Sequence, residues 1–139
     1  MGATIVALTG VYDADGSLAG ELRYWIGARL GRTHCALCDI THGSVRERPE
    51  WRACRDDLSV PFATVHRDEQ TEVVAAATAG EYPAVVATLD DGTTVRLLDG
   101  PQLEAAAHAP DRQAALVAAI EAAAVDRGLA WRAGRLGPA

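Results

Sequence analysis

Hydrophobic and polar positions along this chain switch between two periods, and the switches divide it into short elements. Residues 3–12 (ATIVALTGVY) are apolar and β-branched with no helical repeat, which predicts a buried strand. The polar turn Asp13-Ala14-Asp15-Gly16-Ser17 closes it, and Ser17 is a suitable helix N-cap. Leu18, Leu22, Trp25, Ile26 and Leu30 then recur at helical spacing until Gly31 stops the run. Residues 33–41 (THCALCDIT) are short, which favours a second strand and hence a βαβ unit with two parallel strands. Pro49 opens a helix reaching Leu58, Phe62–His66 reads as a third short strand, and Glu69–Ala79 as a modest helix ended by Gly80. After Tyr82-Pro83, two β-rich runs, Ala84–Leu89 and Thr93–Leu98, flank Asp90-Asp91-Gly92 and predict an antiparallel hairpin. Pro101–His108 forms a short helix, and Asp111 caps a long one from Arg112 to Arg127. In that last helix Ala115, Leu116, Ala119, Ile120 and Ala123 make one narrow apolar face. Residues 1–128 therefore make one α/β domain, a central mixed sheet with flanking helices, and 129–139 are expected to be a loose tail.

Composition narrows the function classes. The chain has 139 residues, 49% of them hydrophobic, and a net charge of −6, with a pI near 5.1. An acidic chain lacks the clustered positive charge of a nucleic-acid surface. No apolar run is long enough to span a membrane, and no basic region precedes an apolar stretch at the N-terminus, so a cytoplasmic location is expected. All 13 basic residues are arginine, which together with abundant alanine points to a GC-rich bacterial coding sequence. Three cysteines without an export signal suggest reduced thiols. Lysine is absent, and no glycine-rich phosphate or dinucleotide motif occurs, so no nucleotide cofactor is expected.

The order of elements over residues 3–125, with 62–79 as extra material, resembles thioredoxin-like folds. The resemblance implies a cis proline at the hairpin entrance bordering the active site, and Tyr82-Pro83 stands at that place. Residues 11–19 (VYDADGSLA) are also similar to the start of the DCC family of thiol–disulfide oxidoreductases, where Tyr-Asp-Gly-Asp precedes Cys-x-x-Cys. Tyr12, Asp13 and Asp15 match. The two cysteine positions fall on Gly16 and Ala19, so the family's redox pair is missing where the motif would place it.

Thiols and imidazoles concentrate elsewhere. Of seven cysteines and histidines, four fall within residues 34–42: His34, Cys35, Cys38 and His42 (HCALCDITH). These are ligand types for a soft transition metal such as zinc or copper, and paired thiols also perform disulfide chemistry. The leading expectation is a metal site on these four residues. One alternative is a thiol–disulfide oxidoreductase using a relocated Cys35/Cys38 pair with His42. The other is a non-catalytic interaction or dimerisation module whose cysteines merely pack.

In a regular strand Cys35, Leu37, Asp39 and Thr41 face one side, and His34, Cys38, Ile40 and His42 the other. The two cysteine Cα atoms would then be roughly 10 Å apart, too far for a disulfide. Strand geometry therefore makes Cys38 and His42 more secure site members than Cys35. His42 would end the second strand beside Asp13 and Asp15, where parallel sheets collect ligands, and the thioredoxin-like resemblance implies Pro83 at the same site. His66 ends the third strand near the same edge. Trp51 and Cys54 share a helical face, and Arg46, Arg48, Arg52 and Arg55 form a basic patch that could hold an anion. Expected partners are a small molecule, a metal ion or a protein, a second copy of the chain included.

Overall fold

The computed structural model describes residues 3–13, 35–42 and 47–131. The helix expected at residues 18–30, His34, Asp15, Gly16, Ala19, Arg46 and residues 132–139 lie outside this set. The described elements are β1 (Ile5–Val11), α1 (Ala36–Thr41), α2 (Pro49–Asp56), β2 (Phe62–Val65), α3 (Glu72–Thr78), β3 (Ala84–Leu89), β4 (Thr94–Leu98), α4 (Gly100–Ala107) and α5 (Arg112–Asp126), with a 3-10 turn at Arg67–Glu69.

A four-stranded mixed sheet in the order β2-β1-β3-β4 organises them. β1 runs parallel to β2 with Leu8 opposite Phe62 and Val11 opposite Val65, and antiparallel to β3 with Val11 opposite Ala84. β3 and β4 form the expected hairpin, turning at Gly92 (φ +87°), where Asp91 accepts from the Thr93 backbone and hydroxyl. The Tyr82–Pro83 bond is cis. Because Val11 pairs with Ala84, Tyr12 and Pro83 occupy the next register positions at one end of the sheet.

The second strand is the main correction. Residues 36–41 form a helix, and the strand parallel to β1 is β2, which the sequence pattern had set aside as extra material. Length favoured a strand, but Leu37, Ile40 and Thr41 already carry the i, i+3, i+4 spacing of a helical face, and all three are fully buried. So short a helix is not stable by propensity alone; packing and capping hold it.

Apolar residues on both sheet faces explain the layering. On one side Ile5, Leu8, Leu37, Ile40, Trp51 and Phe62 pack with Leu97, Leu103, Leu116 and Ile120 of the hairpin and of α4 and α5. On the other, Val11 and Val86 meet Val74 of α3. Gly10 leaves room for Leu37 of α1 against the sheet. A Cβ there would stand 2.9 Å from Leu37 Cδ2 and 3.2 Å from Phe62 Cε1.

Asp111 caps α5 as expected, and Thr71 and Asp99 likewise accept from a first-turn amide, Asp99 completing a capping box with Gln102. Leu129–Trp131 extend past the long helix, with Ile5 N–H donating to Ala130 O and Ala130 N–H to Ala3 O, both at 2.9 Å.

Candidate functional site: a thiol pair at the end of the central strand

Cys35 is extended (φ −139°, ψ 113°) and caps α1 with its own sulfur. Its Sγ accepts from Cys38 N–H at 3.4 Å and from Asp13 N–H at 3.5 Å. The Cys38 side chain supplies a third hydrogen bond, the largest influence lowering the Cys35 thiol pKa. The two backbone amides lower it further, while burial and the nearby Asp13 carboxylate oppose them; the net direction is down. Both cysteines are reduced and buried, with Cys35 1% and Cys38 6% exposed.

The helical turn is what unites them. Residues three apart on a helix lie about 5–6 Å apart between Cβ atoms, whereas a strand would hold the Cα atoms roughly 10 Å apart. The alternation argument that ranked Cys35 below Cys38 and His42 therefore fails: the Cys35 thiol is pulled down by its hydrogen bonds and touches Asp13 directly.

The carbonyl end of α1 is fastened by three hydrogen bonds from two residues. Arg48 N–H donates to Thr41 O at 2.7 Å, Arg48 Nε to Asp39 O at 2.9 Å, and Gln113 Nε2 from α5 to Ile40 O at 2.9 Å. These bonds satisfy carbonyls that a helix terminus otherwise leaves without partners.

Tyr12, just past β1, joins α1 to the histidines. Its hydroxyl lies 2.9 Å from Thr41 Oγ1, which lies 2.7 Å from His42 Nδ1 and 3.1 Å from Leu37 O. Thr41 Oγ1 thus links the Tyr12 hydroxyl, the His42 ring and the α1 backbone. The Tyr12 ring meets those of His42 and His66 with centroids 5.9 Å and 5.4 Å away. Burial pushes the Tyr12 phenol up to about 12, against the pull of hydrogen bonds from Thr41 and Thr64. His66 Nδ1 is 2.7 Å from Glu69 Oε1, whose carboxyl is held below its ordinary value first by the His66 N–H and then by the ring. Arg67 Nη1 sits 3.1 Å from Asp13 Oδ1.

No family model, curated protein or solved structure matches the chain.

The structure thus brings Cys35, Cys38, His42, Asp13 and His66 to one end of the sheet, with Pro83 at the neighbouring register position. Among the described residues, no three or more His, Cys, Asp and Glu side chains are arranged to hold a metal ion. Arg52 and Arg55 pair with Glu47, and Arg48 serves the α1 carbonyls, so these members of the basic patch are occupied within the fold. Cys54 borders a separate cleft of about 500 Å³ with Glu50, Pro110, Asp111 and Gln113, and burial raises its pKa, with Asp111 and Asp57 adding to the effect. Trp51 is core, packed edge-on to Phe62. Tyr12, Thr41 and Arg67 were not among the expected site residues. Of these only Tyr12 carried a signal, its place in the Tyr-Asp motif. No helix among the described residues is long and apolar enough to cross a membrane.

Proposed function

We propose that the chain is a thiol–disulfide oxidoreductase on a thioredoxin-like frame, with Cys35 as nucleophile and Cys38 as resolving thiol. One observation carries the reading: the buried Cys35 sulfur accepts hydrogen bonds from two backbone amides and from the Cys38 side chain. Such donors favour thiolate over thiol, and the thiolate is the reacting species in exchange. The strand order, the hairpin and the proline at its entrance support the frame. The pair stands on the helix packed against β1, not at the Gly16 and Ala19 positions of the DCC motif.

The reaction balances without a cofactor. Cys35, its proton released, attacks one sulfur of a substrate disulfide; the other substrate sulfur leaves as a thiolate and takes up that proton. Cys38 then loses its proton and attacks Cys35 Sγ in the mixed disulfide, and the second substrate sulfur departs with the Cys38 proton. Two protein thiols become one disulfide as one substrate disulfide becomes two thiols. An external dithiol resets the pair, as a reducing cytoplasm would. Tyr12, protonated up to about pH 12, places no competing anion beside the thiolate.

Protein purified without a metal-affinity tag and treated with oxidised glutathione should lose two titratable thiols per chain and regain both with dithiothreitol. Cys38→Ser should accumulate a mixed disulfide on Cys35, and Cys35→Ser should accumulate none. Stoichiometric zinc or copper in the untreated protein, without reversible loss of two thiols, would replace this reading with a metal site on Cys35, Cys38 and His42.

A further inference from the structure

Asp13 acts on the Cys35 sulfur in two opposite ways. Its backbone N–H donates to Sγ at 3.5 Å, and its carboxylate brings negative charge to the same neighbourhood. Arg67, immediately after β2 and His66, reaches across to Asp13 Oδ1 at 3.1 Å, with both side chains 38% exposed. The contact spans 54 positions of sequence and joins the ends of the two parallel strands.

We propose that Arg67 is a positioning residue for the thiol pair: its hold on the Asp13 carboxylate keeps the Asp13 N–H on Cys35 Sγ and offsets the carboxylate's charge beside that sulfur. The inference rests on the redox reading of Cys35 and Cys38. Three lines support it. The chain leaves β1 through Tyr12, whose N–H donates to Val65 O at 2.9 Å, so the backbone immediately before Asp13 is fixed by β2. The next group that can fix Asp13 is its own side chain, and Arg67 is bonded to it. Among the described residues, His66 and Glu69 at this corner pair with each other at 2.7 Å. Finally, the carboxylate opposes the Cys35 thiolate while the amide favours it, so a cation on the carboxylate strengthens the favourable half of the residue.

The effect on redox chemistry follows. Stabilising the thiolate stabilises the reduced pair relative to its disulfide, which makes the pair more oxidising. Losing Arg67 should therefore slow Cys35 as a nucleophile and move the equilibrium toward the disulfide. At this exposure an ion pair is worth a modest amount, corresponding to about two- to fivefold in either quantity.

Two readings test the proposal on the full chain. One is the rate of Cys35 alkylation by iodoacetamide at neutral pH, followed on its peptide by mass spectrometry. The other is the Cys35–Cys38 thiol–disulfide ratio in a glutathione redox buffer. Arg67→Ala should slow alkylation and favour the disulfide by the stated factor, and Arg67→Lys should recover most of the loss. Asp13→Asn removes the charge but keeps the backbone amide and an Oδ1 that Arg67 can still bond, so it should alkylate at least as fast as wild type. A purely structural role would slow Asp13→Asn and Arg67→Ala alike. That result, or an unchanged rate and ratio in Arg67→Ala, overturns the proposal. The alkylation rate needs no disulfide substrate. An Arg67 effect on it without glutathione-dependent exchange would therefore refute the oxidoreductase reading while leaving the positioning role standing.

Discussion

Replacing Gly10 with alanine tests how closely the cysteine helix must sit on the sheet. The added methyl would stand 2.9 Å from Leu37 Cδ2 and 3.2 Å from Phe62 Cε1, well inside ordinary carbon contact. Leu37 has no exposed surface and Phe62 is 5% exposed, so neither side chain can swing into solvent. The strain must pass to α1 as a whole, or Leu37 must adopt a poorer rotamer. Overpacking of this kind costs roughly 1–3 kcal/mol. Alanine also restricts the unfolded chain, which returns roughly 0.4–1 kcal/mol. The net destabilisation should be about 0–2.6 kcal/mol, read as a lower urea midpoint at unchanged slope. A double-mutant cycle separates this mechanism from a general strand effect. Leu37→Ala alone should cost about 2–5 kcal/mol through the cavity it leaves, and the Gly10 methyl would partly fill that cavity. The double variant should then be more stable than the sum of the single effects by at least about 0.5 kcal/mol. Costs that add within about 0.3 kcal/mol would refute direct contact between Gly10 and α1. The same displacement should change the Cys35 alkylation rate, since the capping sulfur moves with the helix.

Burial of Tyr12 sets an alkaline limit on stability. Its phenol titrates near 10 in the unfolded chain and at about 12 in the fold, so between those values the unfolded state alone releases the proton. Folding stability should fall across that window by up to about 1.4 kcal/mol per pH unit more in the wild type than in Tyr12→Phe; parallel curves in alkaline urea titrations would contradict the burial argument. Ile120→Ala should cost about 2–5 kcal/mol, because Ile120 is fully buried on the inner face of α5, and an unchanged urea midpoint would place that helix outside the core. Gln113→Ala should remove the bond to Ile40 O and cost about 1–3 kcal/mol if that carbonyl stays dry. Cys54→Ser should leave glutathione-dependent exchange at the wild-type rate, since its thiol borders a different cleft.

Local patterns in the sequence identified β1, α2, the β3–β4 hairpin and α5 within a residue or two. Each rests on information carried by neighbours in the chain: apolar β-branched residues for β1, Pro49 for α2, Asp91-Gly92 for the turn, Asp111 for the last helix. Residues 36–41 were harder because two rules disagreed. Length argued for a strand, whereas Leu37, Ile40 and Thr41 held helical spacing. Packing decided the outcome, with Gly10 opening room for Leu37 and with Arg48 and Gln113 meeting the carbonyls at the far end. Choosing the strand then misplaced β2, since the parallel partner of β1 had already been assigned elsewhere.

The candidate site was legible in its residue types and illegible in its geometry. Cysteine and histidine density marked residues 34–42, but the chemistry of Cys35 depends on groups the spacing could not bring near. Asp13 N–H comes from 22 positions away, Arg67 reaches Asp13 across 54, and Gln113 holds the helix from 73 positions downstream. Neither Arg67 nor Gln113 forms a motif with the cysteines. The capping arrangement has a further consequence. A serine or aspartate at position 35 would cap α1 with a harder, better acceptor than sulfur. A thiol in that place gives up capping strength and places a hydrogen-bonded sulfur beside a second one. Cys35→Ser should accordingly leave thermal stability equal or raised while abolishing glutathione-dependent exchange. A cysteine retained only for packing would behave differently: the smaller, more polar serine would lower the melting temperature, as exchanging a buried apolar atom for a polar one normally does.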